Sequence, residues 1–388
     1  MKTISEKKVQ FVIPLISLFV LSVLASHSLA QEKQELISAE RVSIQSIFLG
    51  EERVISIYLP DNYEATSQKY PVLYLLDGTT HFQHAIAATA FLSRGGIIPQ
   101  MIVISVHNTD RNRDFSPVHT ERIPTSGGAE KFLNFLSDEL IPFINEKYRV
   151  SDFSILMGHS FGGTFAIYSL LTQPELFNAY IAVSPYLHYA DNYLVNESKN
   201  LLKSEYNQPT YLYMTVGNEP DYFKPLEEFS TNVLEKSKEA IDFNYEKMES
   251  EDHASIPYIT LFNGLRFIFS EWRLPNEKFA QGMDSIDTHY KYISAKYGFE
   301  IKTPEYVINN LGYQYLRNND IEKAIEVFKE NTKRYPESAN VYDSLGEAYE
   351  NNNQLVLAKN NYQKAVDLGM KNNDPNALIY QKNLKRVQ

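Results

Sequence analysis

Cysteine is absent from the chain of 388 residues. A disulfide framework is therefore excluded, and so is a lipid-modified N-terminal cysteine. Tryptophan is nearly absent too, with one residue, whereas 22 Phe and 27 Tyr are present. With 43% hydrophobic residues, the chain can bury one large core and a smaller unit without covalent cross-links.

Runs of basic residues are also lacking, and the formal charge at pH 7 is -11. An acidic chain of this kind is a poor candidate for binding nucleic acid or anionic lipid, so neither partner is expected. The nine histidines are scattered, and no H-E-x-x-H motif occurs. We therefore expect neither a metal site nor any other cofactor.

The N-terminus has the composition of an export signal. Residues 1–10 include three lysines, residues 11–25 form a short apolar run, and Ser28-Leu29-Ala30 supplies small residues. This pattern predicts a signal peptide over residues 1–30, and hence a periplasmic or secreted chain without a membrane span. The alternative is a membrane anchor, for which the apolar run is short.

Compact apolar runs of β-type composition follow the predicted signal. They lie at residues 42–48, 53–59, 71–78, 101–106, 153–158, 179–185 and 210–217. Most are continuous rather than alternating, which indicates strands buried on both faces, as in parallel sheets. Helical patterns at 129–147, 161–173 and 226–239 separate several of them. The sequence therefore predicts an α/β domain over residues 31–300, a three-layer sandwich with a mostly parallel sheet.

A period of 34 residues begins near residue 304. The matching positions are Leu311-Gly312 with Leu345-Gly346, Tyr315 with Tyr349, Ala324 with Ala358, and Phe328 with Tyr362. This spacing is typical of tetratricopeptide repeats and predicts two of them, at about 305–338 and 339–372. We therefore expect a small all-α domain over residues 301–388.

Two repeats are fewer than such arrays usually need. Asp374-Pro375 resembles the start of a further helix, as an N-cap followed by proline at the first helical position. Its Leu378, Ile379 and Leu384 could cap the array. A repeat array of this kind could bind a protein partner.

The motif Gly-His-Ser-Phe-Gly at residues 158–162 lies between a predicted strand and a predicted helix. A nucleophilic serine needs a tight turn whose neighbours are small, and Gly158 and Gly162 meet that need. Ser160 is therefore the candidate nucleophile. The alternative is a glycine-rich turn that binds a phosphate or nothing.

A serine hydroxyl needs a base to take its proton. Only His188, His253 and His289 follow Ser160 in the chain. His188 follows too soon for a strand and an acid to lie between them, and His289 lies on a helical pattern near the repeats. His253 follows a strand-like segment at 243–249 and precedes an apolar helix, so it is the expected base.

The base in turn needs a carboxylate to orient it. Glu219 and Asp221 both lie just past the strand at 210–217. Pro220 restricts the residue before it to extended conformations, which favours Glu219 and leaves Asp221 as the alternative acid. The oxyanion hole is expected from the backbone N–H groups of Phe161 and Thr79, unless the turn at Thr79 is a plain one.

Seven blocks of the sequence, in order, resemble the putative-esterase family of α/β hydrolases. They are VLYLLDG, NTDRNRDFSP, GGAEKFLNFLSDELIPFINEKYR, GHSFGG, AVSPYL, VGNEPD and DHASIPY, within about residues 40–275. The family includes enterochelin esterases, feruloyl and acetyl-carbohydrate esterases, and relatives of S-formylglutathione hydrolase. The resemblance implies an α/β-hydrolase fold, Ser160 as nucleophile, His253 as base and a carboxylate in the VGNEPD turn. It implies hydrolysis of carboxylic esters through an acyl-enzyme.

The substrate pocket is harder to predict. Siderophore-type family members tend to carry Trp after an SPS motif, where this chain has SPYLHYADN. We expect Tyr186 and Tyr189 to form an aromatic pocket there. Arg113, together with Arg111, could steer an anionic ester into the cleft, or it could structure a loop with Asp114.

Two other functions are open at this point. One is an inactive hydrolase-like scaffold that recruits a partner through its repeats. The other is acyl transfer to a sugar or lipid hydroxyl, since water and alcohols attack the same acyl-enzyme.

Overall fold

One mixed sheet organises the part of the chain that the computed structural model describes, which is residues 39–388 without Asn62. The predicted signal peptide, residues 1–30, lies outside the described residues. Within them the sheet has the order β1-β2-β4-β3-β5-β6-β7-β8. The strands are β1 Ala39–Ser46, β2 Glu51–Tyr58, β3 Tyr70–Leu75, β4 Ile102–Val106, β5 Val150–His159, β6 Ala179–Val183, β7 Thr210–Val216 and β8 Ile241–Lys247.

Only β2 runs opposite to the other seven strands of the described sheet. β1 pairs antiparallel with β2, and β2 pairs antiparallel with β4. From β4 through β3 to β8, all neighbouring strands are parallel. The carboxyl ends of β3, β5, β6, β7 and β8 therefore meet at one edge, where α/β sheets carry their ligand sites.

The apolar runs are continuous because both faces of the sheet are buried. In β3, Leu73 and Leu75 belong to one core layer, whereas Val72 and Tyr74 belong to the other. Successive side chains of a strand point to opposite faces, so a strand covered on both sides needs an apolar residue at every position.

Helices cover both faces, which confirms the predicted α/β fold with a mostly parallel sheet. They are α1 Gly78–Arg94, α2 Arg111–Phe115, α3 Ala129–Phe135, α4 Ile141–Lys147, α5 Phe161–Thr172, α6 Tyr189–Leu201, α7 Pro220–Lys236, α8 Ile256–Ile268, α9 Asn276–Ala280, α10 Met283–Tyr297, α11 Glu305–Arg317, α12 Ile321–Arg334, α13 Ala339–Asn351, α14 Leu355–Lys371 and α15 Ala377–Arg386. A π-helical turn at Leu136–Leu140 joins α3 to α4. The helix predicted at 226–239 begins earlier, because Pro220 occupies its first turn.

The C-terminal helices pack in two equivalent pairs. A Cβ atom on Gly312 would lie 2.5 Å from the ring of Phe328, and one on Gly346 would lie 2.7 Å from the ring of Tyr362. Both contacts bring an aromatic ring directly against a glycine of the preceding helix, and they are 34 residues apart. This geometry agrees with the period of the sequence, and the assignment to the tetratricopeptide type stays a prediction.

The predicted domain boundary at residue 300 is not a break in the packing. One compact unit extends from Ala39 to Gln388. Ile286 and Ile293 of α10 belong to the same apolar core layer as Ile308 of α11. A separate helical domain is therefore not confirmed, because α10 and α11 share one core.

The last helix packs on the preceding helices through Leu384, but not through the other two residues predicted. α15 begins at Ala377, two residues beyond Pro375. Leu384 is buried, but Leu378 is 77% exposed and Ile379 is 53% exposed. The prediction was wrong for these two residues because the rotation of α15 directs them to solvent. No helix within residues 39–388, Asn62 excepted, has the length and apolar character needed to cross a membrane.

Candidate active site

Ser160 occupies a strained turn between β5 and α5. Its backbone has φ 58° and ψ −117°, a conformation that is costly for a residue with a side chain. A Cβ atom on Gly158 would lie 2.1 Å from the carbonyl oxygen of Gly162, so the turn is too tight for a side chain there. The predicted strand–turn–helix setting of the serine is therefore present.

Backbone hydrogen bonds hold this turn to the end of β6. The N–H group of Ser160 donates to the carbonyl oxygen of Val183 at 2.8 Å, and that of Tyr186 donates to the carbonyl oxygen of Ser160 at 3.3 Å. The segment after β6 is thereby placed beside the serine.

Glu219 and His253 meet at the same edge of the sheet. The Nδ1 atom of His253 lies 2.5 Å from Oε1 of Glu219. The other carboxylate oxygen accepts from Ser184 Oγ at 2.6 Å and from the N–H group of Gly217 at 3.3 Å. Because a carboxylate only accepts hydrogen bonds, Nδ1 carries the proton and Nε2 is free to accept one.

Asp221, the alternative acid, is placed differently. It is exposed in the first turn of α7 and forms no hydrogen bond with His253. Its charge acts on His188 instead, where it partly opposes the lowering of the pKa by burial. Glu219 lies at the N-cap of α7, before Pro220, with φ −129° and ψ 76°. The geometry favours Glu219.

Tyr222 is a site residue that sequence reasoning missed. The Ser160 side chain lies near enough to the Tyr222 hydroxyl to affect its pKa, but it forms no hydrogen bond with Tyr222 or His253 in this structure. Burial, followed by the charge of Glu219, raises the pKa of Tyr222 to about 12, with a smaller opposing contribution from Ser160. Catalytic hydrogen bonds are often long until substrate binds, so this arrangement is compatible with a Ser160–His253 pair.

A row of imidazole rings extends from His253 into the protein. The His159 ring centroid lies 4.4 Å from that of His253 and 5.7 Å from that of His81. His81 and His84 are stacked, with 3.1 Å between Nδ1 and Nε2. Burial, with a smaller contribution from neighbouring imidazoles, lowers the pKa of His159 to about 3 and that of His84 to about 4.

The sequence contained one signal for this row. His81 and His84 are three residues apart, the spacing of neighbours on one face of a helix, and the interpretation of the histidines as scattered overlooked it. Among the described residues, no group of three or more His, Cys, Asp or Glu side chains is placed to hold a metal ion.

A buried ion pair joins the end of β3 to the serine turn. Asp77 has a left-handed conformation with φ 53° and accepts from Nε of Arg111 at 2.6 Å. Arg111 also donates to the carbonyl oxygen of His159 at 2.9 Å. Thr79 lies in the first turn of α1 and Phe161 in that of α5, where backbone N–H groups lack helical partners. Both predicted oxyanion donors therefore lie at helix N-termini that follow adjacent parallel strands.

The side chain of Arg113 forms ion pairs with neighbouring carboxylates. Its guanidinium donates to Glu51 at 2.6 Å and to Asp114 at 2.8 Å. Asp114 in turn binds the buried Arg53 at 2.6 Å. These ion pairs occupy the guanidinium, in agreement with the loop-structuring alternative, and a contact of Arg113 with substrate stays a prediction.

The two predicted pocket tyrosines differ in their surroundings. The half-buried ring of Tyr186 has its centroid 5.1 Å from Phe161 and 5.8 Å from Tyr222. Tyr189 is buried, and its hydroxyl donates to the carbonyl oxygen of Val118 at 2.8 Å. Tyr189 also lies beside the serine turn, with its ring centroid 5.2 Å from that of Phe161, so the two tyrosines differ in burial and in the hydrogen bond rather than in their contact with Phe161.

The fold is of the α/β class with a mostly parallel eight-stranded sheet, and Ser160, Glu219 and His253 lie at one edge of that sheet. A comparison with protein families goes further: residues 46–258 match the family described as putative esterase. That match covers more than half of the chain, so the protein belongs to the putative esterase family. It is a carboxylic ester hydrolase.

Individual relatives agree with this family. The chain is 28% identical over 226 residues to the ferri-bacillibactin esterase BesA of Bacillus subtilis, covering 51% of this chain and 78% of BesA. An IroE-like serine hydrolase from Shewanella oneidensis is 26% identical with a TM-score of 0.66, covering 77% of this chain and 100% of that one. An uncharacterised protein from Capnocytophaga ochracea DSM 7271 shares the fold at 18% identity and a TM-score of 0.62, over 90% of this chain and 99% of its own.

Proposed function

We propose that the protein is an exported serine esterase that hydrolyses siderophore-type carboxylic esters through Ser160, His253 and Glu219. The observation that carries the proposal is the 2.5 Å contact between Glu219 and His253 at the sheet edge where Ser160 occupies its strained turn. The similarity to a ferri-bacillibactin esterase supports the class of substrate.

The mechanism follows from the protonation state of His253. Ser160 Oγ attacks the ester carbonyl while Nε2 of His253 takes the hydroxyl proton, and Glu219 stabilises the resulting imidazolium. The N–H groups of Phe161 and Thr79 bind the oxyanion. The imidazolium then protonates the leaving alcohol, and a water molecule hydrolyses the acyl-enzyme by the same route.

The aromatic surroundings of Tyr186 favour a flat acyl group. Tyr186, Phe161 and Tyr222 present ring faces and edges beside the serine turn. A well-placed aromatic pair is worth about 0.5–1.5 kcal/mol beyond the burial of area. We therefore expect aromatic acyl esters, including catecholate esters, to be better substrates than acetyl esters.

Export is part of the proposal and depends on residues 1–30, outside the described residues. The predicted signal peptide would bring the enzyme to the periplasm or the medium, where imported or secreted siderophores occur. Detection of the chain, shortened by 30 residues, in the periplasmic or secreted fraction would test it.

The activity is tested with a purified chain and a cyclic catecholate triester, iron-free and iron-loaded, with the products resolved by mass spectrometry. Ser160→Ala and His253→Ala should each abolish hydrolysis, and the double variant should lose little more than either, because triad members act as a unit. Ser270→Ala, at an exposed serine, is the matched control. Additive losses, or faster cleavage of acetylated sugars than of the triester, would contradict the proposal.

A further inference from the structure

Tyr222 lies where the chemistry of the site needs a hydrogen-bond donor. Its ring centroid is 5.8 Å from that of His253 and 4.9 Å from that of His188. Its N–H group donates to the carbonyl oxygen of Glu219 at 2.9 Å, so the first turn of α7 fixes both the acid and the tyrosine. The Tyr222 ring therefore lies beside His253, at the sheet edge that carries Ser160.

A phenol in this position remains a donor throughout the working range of an esterase. Burial and the nearby Glu219 carboxylate both oppose ionisation of Tyr222, which leaves its pKa near 12. The hydroxyl can therefore give a hydrogen bond to an oxygen that gains negative charge, and it does not give up its proton.

The leaving oxygen of the ester must come close to two groups. It departs from the carbon bonded to Ser160 Oγ, and it receives its proton from Nε2 of His253. The Tyr222 ring adjoins His253 and its hydroxyl lies near the Ser160 side chain, so an oxygen placed between Ser160 and His253 is also near the Tyr222 hydroxyl. The oxyanion donors expected at Phe161 and Thr79 serve the carbonyl oxygen and leave this second oxygen without a fixed donor.

We propose that Tyr222 is a catalytic residue whose hydroxyl donates to the leaving oxygen of the ester as the acyl-enzyme forms. The carbon–oxygen bond of the ester breaks, the proton from Ser160 passes through His253 to the leaving alcohol, and Tyr222 keeps its own proton. This inference rests on the proposed role of Ser160 as nucleophile.

The dependence of the rate on the leaving group tests it. The leaving oxygen of an alkyl ester has no other means of stabilising negative charge and depends on a donor, whereas p-nitrophenolate from an ester of the same acid delocalises its charge into the ring. Tyr222→Phe should lower kcat for the alkyl ester about 10- to 100-fold and for the aryl ester less than about threefold. KM should change little, since the ring remains. Tyr245→Phe is the matched control, because the Tyr245 hydroxyl has no hydrogen-bond partner among the described residues.

Each outcome decides the matter. A loss confined to the alkyl ester supports the proposal. An equal loss of kcat on both esters, or a change in KM alone, would overturn the proposal and show that Tyr222 only lines the pocket. Ser160→Ala is measured alongside: if it still turns over ester, the proposed triad fails, whereas an inactive Ser160→Ala beside an unaffected Tyr222→Phe refutes the role of Tyr222 only.

Discussion

Replacing Glu219 by glutamine tests the assignment of the acid most directly. The glutamine side-chain oxygen can still accept from Ser184 and Gly217, so the loop should keep its shape. The amide nitrogen would instead face Nδ1 of His253 and donate to it. Nδ1 then becomes the acceptor and Nε2 carries the proton, which is the tautomer that cannot take a proton from Ser160.

The size of the effect has two parts. Two unit charges 4 Å apart attract by about 4 kcal/mol at an effective dielectric of 20. The His253 side chain is 41% exposed, although that of Glu219 is only 12% exposed, so solvent reduces this attraction. The wrong tautomer adds to the loss, and removal of a triad carboxylate costs about 10⁴-fold in other serine hydrolases. We expect kcat to fall by about 10³- to 10⁴-fold.

Initial rates on a p-nitrophenyl ester, with the melting temperature as a check of folding, measure this effect. KM should change little because Glu219 lies behind His253 and away from the substrate. Asp221→Asn removes the same charge two residues away and is the matched control, with less than about a threefold loss expected. The reasoning would be refuted if Glu219→Gln retained a tenth of the activity, or if Asp221→Asn lost more than Glu219→Gln.

Two further outcomes concern stability. His84 and His159 are neutral when folded but protonated in the unfolded chain below about pH 6.5, so the free energy of unfolding should fall as the pH drops from 6.5 towards 4. In urea titrations at pH 7.5 and pH 5, the His84→Gln variant should lose less stability between the two pH values than the parent protein. An equal loss would show that His84 does not contribute to this pH dependence. An isolated fragment of residues 301–388 should lack a cooperative thermal transition by circular dichroism, because Ile308 of α11 packs against α10 in the whole chain. A fragment of residues 283–388, which includes α10, should regain helicity. Cooperative unfolding of the shorter fragment would contradict this prediction.

Local patterns in the sequence predicted much of the fold. The continuous apolar runs identified the central strands because burial on both faces requires an apolar residue at every position. The glycines around Ser160 indicated a turn that no larger residue could form, and Gly158 makes the closest approach there. The 34-residue period located the paired C-terminal helices, since each aromatic ring packs on the glycine of its own pair.

The candidate triad was predictable in part. Chain order and the end of a predicted strand pointed to His253, and the restriction that Pro220 imposes on its neighbour favoured Glu219 over Asp221. These arguments use the sequence alone, and the geometry agrees with them at 2.5 Å between the two side chains. Their roles in catalysis stay predictions for the experiments above.

Only the tertiary structure decided which distant residues meet. Tyr222 approaches His253, and His81 approaches His159, because the strands before them end at one edge and each following helix has a particular rotation. The guanidinium of Arg113 forms an ion pair with Glu51, which lies more than sixty positions earlier in the chain. Such contacts depend on strand order and helix rotation, which the whole core sets, whereas the sequence records only the preferences of a few neighbouring residues.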